Sequence, residues 1–346
     1  MEEFRKLASI QRIRSIRPID GADKIEVVRI NNWDVVVQKE IGYKVGDLVV
    51  YFEIDSYLPE KPEFEFLRKS SFKKMGELTG FRLKTIKLRG VVSQGLVTPI
   101  SVLPDDVEIV EGNDVTEILG VMKYDPPIPA QLAGKVRGNF PSWLIKSDQG
   151  RIQNLTNEFP KWYDDDVQWE ITIKLDGTSM TAGISPNMEF VVCSRNLSLE
   201  LEQEGNTLIT VSNEYEIERK LKQLDISFNP YAVQGELMGP GVHGNREKLQ
   251  KPELFVYNVI DTHKREFVGQ EERLAVVESL GLKHVPVLYK SVTFRELGLK
   301  TIDDVIKFAD GPSLNHPTRE GLVFKEINGK FSFKVISNKF LLKDKS

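Results

Sequence analysis

One cysteine in 346 residues, Cys193, excludes an intrachain disulfide and any cysteine-built zinc site within one chain, and leaves that thiol as core packing. No apolar run approaches the roughly 18 residues of a membrane span. The opening residues, Met1-Glu2-Glu3-Phe4-Arg5-Lys6, lack the charged-then-apolar order of an export signal. The expectation is an intracellular, by default cytoplasmic, protein with no membrane partner. A net charge of −4 excludes a basic coat over the whole molecule. Repeats and low-complexity tracts are missing too. What is present is an ordinary globular composition, 40% hydrophobic, enough for cores in about two or three domains. Basic charge is local: residues 61–89 hold nine Lys or Arg against three Glu, so any nucleic acid would bind there rather than everywhere.

Residues 1–120 read as short strands with little helix, at 24–30, 33–38, 48–54, 82–88 and 94–100. β-Branched and aromatic runs such as Val49-Val50-Tyr51-Phe52 are interrupted by Gly21, Gly42, Gly46, Gly80 and Gly90. A small β-barrel is the economical arrangement, and the stretches 19–28 and 42–52 resemble an OB-type barrel, a frequent carrier of oligonucleotides. From Lys123 the composition turns proline-dense (Tyr124-Asp125-Pro126-Pro127-Ile128-Pro129), which predicts a linker over 121–141. The remainder, 142–346, mixes strands (169–175, 188–194, 231–237, 254–260, 321–325, 331–336) with helical periods at 214–223, 271–280 and 302–309. The fold class is therefore α+β: an N-terminal OB-type barrel, then a mixed, largely antiparallel domain.

Lys174-Leu175-Asp176-Gly177 ends a strand-like run and sets an amine beside a carboxylate and a glycine. A lysine that attacks phosphorus must be neutral, yet at its ordinary pKa of about 10.4 only about one amine in 2,500 is free at pH 7. A nearby divalent cation supplies part of the roughly 4–5 kcal/mol needed to bring that pKa near neutrality. Asp176, Glu236 and Glu320 are candidate holders for it, since three oxygen donors acting partly through water suit Mg²⁺. Phe255 and Tyr257 alternate onto one face of a strand, where one ring could stack on a purine. Arg195 and Lys334 are candidate phosphate contacts.

In this order the segments resemble the covalent nucleotidyltransferases: DNA ligases, RNA ligases and capping enzymes. Lys174 to Gly177 matches the nucleophile motif K-x-D-G, Ser194 to Asn196 the second, Gly235-Glu236 the third, Phe255 to Ile260 the aromatic strand, Glu320 to Lys325 the fourth and Lys334 the fifth. The run 145–154 and a barrel placed ahead of the transferase domain are similar to the fifth RNA ligase family, the Naegleria type. That resemblance implies ATP as substrate, Mg²⁺ or Mn²⁺ as cofactor, RNA as partner, and a monomer by default. It makes Lys174 and Lys334 catalytic, puts Asp176, Glu236 and Glu320 at the metal, and gives Arg151, Arg195, Glu236, Tyr257, Phe255 and Lys334 to ATP. Two positions depart from the pattern: Ile336 stands where relatives often carry a second lysine, and Ile173 where many carry glutamate. A DNA ligase or capping enzyme, or a nucleic-acid-binding protein that has lost catalysis, are the alternatives; the first two usually place the barrel after the transferase domain.

Overall fold

The strand Ala8–Pro18 serves two partners. Ala8 to Arg12 pair with the strand Leu48–Phe52, and Ile13 to Pro18 pair with Ile25–Ile30, the exchange falling at an irregularity between Ile13 and Ser15. Such a bulge bends a strand and increases its twist, which lets one sheet curl around a core. In this computed structural model, which describes residues 5–126, 128, 130–224, 230–327 and 331–343, the result is a five-stranded antiparallel sheet. Its order is Leu96–Pro99, Leu48–Phe52, Ala8–Pro18, Ile25–Ile30, Trp33–Gln38. Ile10, Val50 and Phe52 fill one side of it with Phe64 and Phe81, while Trp33, Val35 and Tyr51 fill the other.

A four-stranded sheet (Met122–Lys123, Ser56–Pro59, Leu78–Arg82, Phe72–Met75) completes this unit. The expected strand 82–88 divides here. Its first residue ends Leu78–Arg82, whereas Thr85–Leu88 forms a separate hairpin with Val91–Gln94. The expected linker 121–141 carries strand on both sides. Met122–Lys123 pairs with Ser56 and Tyr57 of the first unit, and Val136–Asn139 pairs with Leu197–Leu199 of the second.

The second unit has two sheets. One is eight-stranded, running Val136–Asn139, Leu197–Leu199, Phe190–Cys193, Thr178–Ile184, Tyr231–Met238, Glu253–Asp261, Glu266–Phe267, with Lys283–His284 alongside Glu253–Asp261. The other runs Gly150–Arg151, Ser332–Ile336, Gly321–Glu326, Trp169–Lys174, Val287–Val292. Among the described strands only two pairings are parallel, 150–151 with 333–334 and 255–256 with 283–284. The two sheets share an apolar cluster in which Ile171, Phe324 and Phe333 meet Met238 and Phe255. The other face of the larger sheet is covered by the helices Thr207–Glu214, Ile217–Gln223 and Gln270–Ser279. The expected helix 214–223 is realised as Ile217–Gln223; Glu214 ends the preceding helix, and Glu216, at a left-handed φ of 53°, separates the two. Among the described residues no helix is long and apolar enough to cross a membrane.

Candidate active site

Lys174 is the last residue of Trp169–Lys174 and lies opposite Gly321, the first residue of Gly321–Glu326. That register delivers Glu320 to the lysine: Glu320 Oε2 is 2.8 Å from Nζ. Gly321 also lets Ser332–Ile336, the strand that carries Lys334, pack close alongside, since a Cβ there would stand 2.1 Å from the carbonyl oxygen of Val335. On the other side of the lysine the chain leaves the strand and passes close to Tyr231–Met238. Gly177 donates its N–H to Glu236 Oε1 at 3.0 Å, and a Cβ on Gly177 would stand 2.3 Å from the Leu237 oxygen. Glu236 lies within its strand rather than at the strand's end. The bare Gly235 beside it lets Glu253–Asp261 pack at a bulge.

Three carboxylates therefore bracket Nζ from separate segments. Glu320 touches it, Glu236 from the larger sheet and Asp176 two residues past the strand lie within electrostatic reach of it, and Asp176 is also 3.5 Å from Arg246 and 3.9 Å from His243. Burial opposes ionisation of Glu236, and the negative charges of Glu320 and Asp176 oppose it further; its carboxyl is pushed up to about 7 despite Lys174. Glu320 is raised for the same reasons. Lys174 shifts upward, because Glu320, Glu236 and Asp176 outweigh burial. This amine is thus held charged by its acidic neighbours, the reverse of what nucleophilic attack needs. Among the described residues no three acidic, histidine or cysteine side chains stand close enough to clasp a bare ion. Crowded carboxylates that resist ionisation fit a hydrated cation, whose waters span the gaps and whose charge relieves the repulsion.

A second group of charges lies beside the first. Lys334 projects from Ser332–Ile336 with Phe333 and Val335 turned into the core, and burial brings its amine down to about 7. Its partner is Asp148, 3.1 Å away, which is also 3.5 Å from Arg195 and 3.7 Å from Lys123. Asp148 is held well below the usual carboxylate range by these cations, which more than offset its burial. Arg151 is the parallel-strand neighbour of Lys334. It is buried, reaches Asp55 at 3.5 Å and lies over the Trp33 ring, while its Nε and Nη1 find no hydrogen-bond partner among the described residues.

Of the two candidate aromatics, Tyr257 stands near this ground. Its hydroxyl lies 3.5 Å from Ser147 Oγ and 3.3 Å from Ser179 Oγ. Phe255 does not: it is buried in the cluster between the sheets with Lys283 over its ring, so its place is in the core. Sequence reasoning missed Asp148 and Lys123 as members of the site, as well as the Arg246 contact to Asp176. Asp148 lies inside the run 145–154 that carries the family resemblance, the one signal that could have pointed to it.

The same two-unit layout recurs in known proteins. An OB-fold domain model matches residues 7–100 and an RNA ligase model matches residues 167–336. Naegleria gruberi RNA ligase with AMP and Mn, a lysine-to-methionine variant, superposes with a TM-score of 0.90 at 38% identity over 99% of each chain. A glutamate-to-alanine variant of that enzyme with ATP and Mn gives 0.89 at 38% identity, over 99% of this chain and 100% of the other. The Naegleria enzyme with PPi gives 0.88 at 38% identity over 99% of both. No curated protein matches the chain. At this identity, over effectively the whole length of both chains, the protein belongs to the ATP-dependent RNA ligase family, with an OB-fold domain ahead of its ligase domain.

Proposed function

We propose that the protein seals RNA ends or nicks, joining a 3′-hydroxyl to a 5′-phosphate through an adenylate on Lys174, in the repair of broken RNA. The observation that carries this reading is the convergence of Glu320, Glu236 and Asp176 on Lys174 Nζ, with Lys334, Arg195 and Arg151 forming a cationic group alongside. Several solved forms of Naegleria gruberi RNA ligase carry a single substitution at a lysine, an aspartate, a glutamate or an arginine, and some of these hold ATP or AMP with Mn. Those are the residue types gathered around Lys174.

In the first step Nζ attacks the α-phosphorus of ATP, the N–P bond forms and the bond to the bridging oxygen of pyrophosphate breaks. Glu320 Oε2 orients Nζ and is the nearest acceptor for its proton. Asp176, Glu236 and Glu320 would hold Mg²⁺ or Mn²⁺, which would supply positive charge to neutralise phosphate oxygens and favour the free amine. Lys334 and Arg195 grip the phosphates, Arg151 offers its unpartnered N–H groups, and the Tyr257 ring stacks on adenine. AMP next passes from Lys174 to the 5′-phosphate of RNA, and the 3′-hydroxyl finally displaces it. Each step is an in-line displacement that the protein serves mainly by positioning and charge.

Incubation with α-labelled ATP and Mg²⁺ or Mn²⁺, followed by denaturing electrophoresis, tests the first step. The wild type is expected to carry label and Lys174→Ala none, with both proteins folded by circular dichroism. A labelled Lys174→Ala protein would falsify the assignment, and an unlabelled wild type under either metal would remove the activity. Nicked duplexes with RNA or DNA on each side of the break then read which strand must be RNA.

A further inference from the structure

Asp148 is an acid seated where the proposed chemistry needs an anion supplied from outside. Its two oxygens face Lys334 at 3.1 Å, Arg195 at 3.5 Å and Lys123 at 3.7 Å, three cations brought by three separate parts of the chain. Lys123 comes from the last strand of the OB unit, Arg195 from the turn after Phe190–Cys193, and Lys334 from the strand beside Arg151. One carboxylate carries a single charge and two oxygens. It underfills a seat with three cations around it and with the orphaned Nε and Nη1 of Arg151 on the neighbouring strand. A phosphate group has more oxygens and more charge, and satisfies such donors better.

The way Asp148 is held also suits a ligand that leaves. Its side chain is 50% exposed, whereas that of Lys334 is 15% exposed. It lies in an irregular stretch ahead of Gly150–Arg151, and two of its three ion pairs are longer than an ordinary hydrogen bond. Resting on the reading above, we propose that Asp148 is an internal stand-in for a nucleotide phosphate. In the empty protein its carboxylate keeps Lys334, Arg195 and Lys123 gathered against their mutual repulsion, and ATP binds by displacing it. Because Ser147, the preceding residue, contacts the Tyr257 hydroxyl, the displacement moves the chain at both the phosphate end and the base end of the site.

The test is the ATP dependence of Lys174 adenylate formation with Mg²⁺, in wild type, Asp148→Asn and Asp125→Asn. Asp125 lies within electrostatic reach of Lys123 but outside the seat, so its variant removes the same charge without vacating anything. Removing a competing, partly exposed ion pair predicts that Asp148→Asn reaches half-saturation at about three- to tenfold lower ATP, with Asp125→Asn close to wild type. Asp148→Ala moves in the same direction and guards against an effect peculiar to the amide. Equal or higher half-saturating ATP in both Asp148 variants overturns the proposal, making Asp148 a fixed strut or a nucleotide contact. An equal gain in Asp125→Asn overturns it too, by reducing the effect to net charge. Absence of label in every protein removes the ligase reading and this inference together, whereas labelled wild type with no tightening removes this inference alone.

Discussion

His284 is a neutral base among charges. Its Nε2 accepts from Arg273 Nε at 3.0 Å while its Nδ1 faces the Val285 oxygen at 2.6 Å, an arrangement that leaves no site for a second proton. Burial first, and then the Arg273 charge, bring its pKa down to about 4 from an ordinary value near 6.5. The unfolded chain takes up a proton as pH falls through about 6.5 and the folded chain does not until about 4, so stability is lost across that window as pH drops. Thermal unfolding followed from pH 7 to 4 is expected to show this loss, and His284→Gln, which does not titrate, to show a shallower one. Identical slopes in the two proteins would exclude the imidazole as their source. Lys174 shows the opposite balance, an amine held charged by Glu320, Glu236 and Asp176 against the effect of burial.

The strand that ends in Lys174 is secured at its other end by a buried ion pair. One guanidinium nitrogen of Arg273, on the helix Gln270–Ser279, lies 2.5 and 2.6 Å from the two oxygens of Glu170. Both side chains are at most 5% exposed. Removing one partner strands the other charge in the core, and Arg273→Met is expected to lower stability by about 3–5 kcal/mol in denaturant titration. Glu170→Gln with Arg273→Met is expected to recover part of that loss; strictly additive losses would mean that the two do not act as a pair. How legible such elements are depends on how local their signal is. Lys174, Asp176, Glu236 and Glu320 could be read because each sits in a short motif at a strand end or in a strand. Ala8–Pro18 could not, because its bulge shifts the phase of alternation: Ile10, Ile13 and Ile16 recur every three residues rather than every two. Phe255 and Tyr257 share a face as alternation requires, yet only depth in the sheet sandwich separates a core ring from one near the site. Asp148 meets Lys334 across 186 residues, a contact that nothing in the local sequence records.

At the scale of the whole molecule the two units meet through polar side chains. Trp33 Nε1 donates to Asn154 Oδ1 at 2.6 Å, Asn154 Nδ2 donates to Glu53 at 2.6 Å, and Arg29 pairs with Asp303 at 2.8 Å. This junction fixes Arg151 beside Asp55 and carries Lys123 to Asp148, so the OB unit contributes directly to the charged ground around Lys334. Its outer hairpins offer something different. Lys74, Lys87 and Arg89 are exposed there together with Phe72, Leu78, Ile86 and Leu88, cations interleaved with apolar side chains in a protein whose net charge is −4. That mixture suits a nucleic-acid strand, whose phosphates and base faces ask for both. Reversing Lys73 and Lys74 to Glu together is expected to weaken binding of a nicked RNA duplex at low salt. It should also flatten the dependence of log K on log salt by about one unit for each phosphate that is no longer neutralised. Adenylation of Lys174 measured without RNA asks nothing of these outer hairpins and is expected to persist in that variant. Weakened duplex binding with intact adenylation assigns the hairpin to the RNA, whereas unchanged binding and an unchanged salt slope take it out of the interface and leave its lysines as a solvated face.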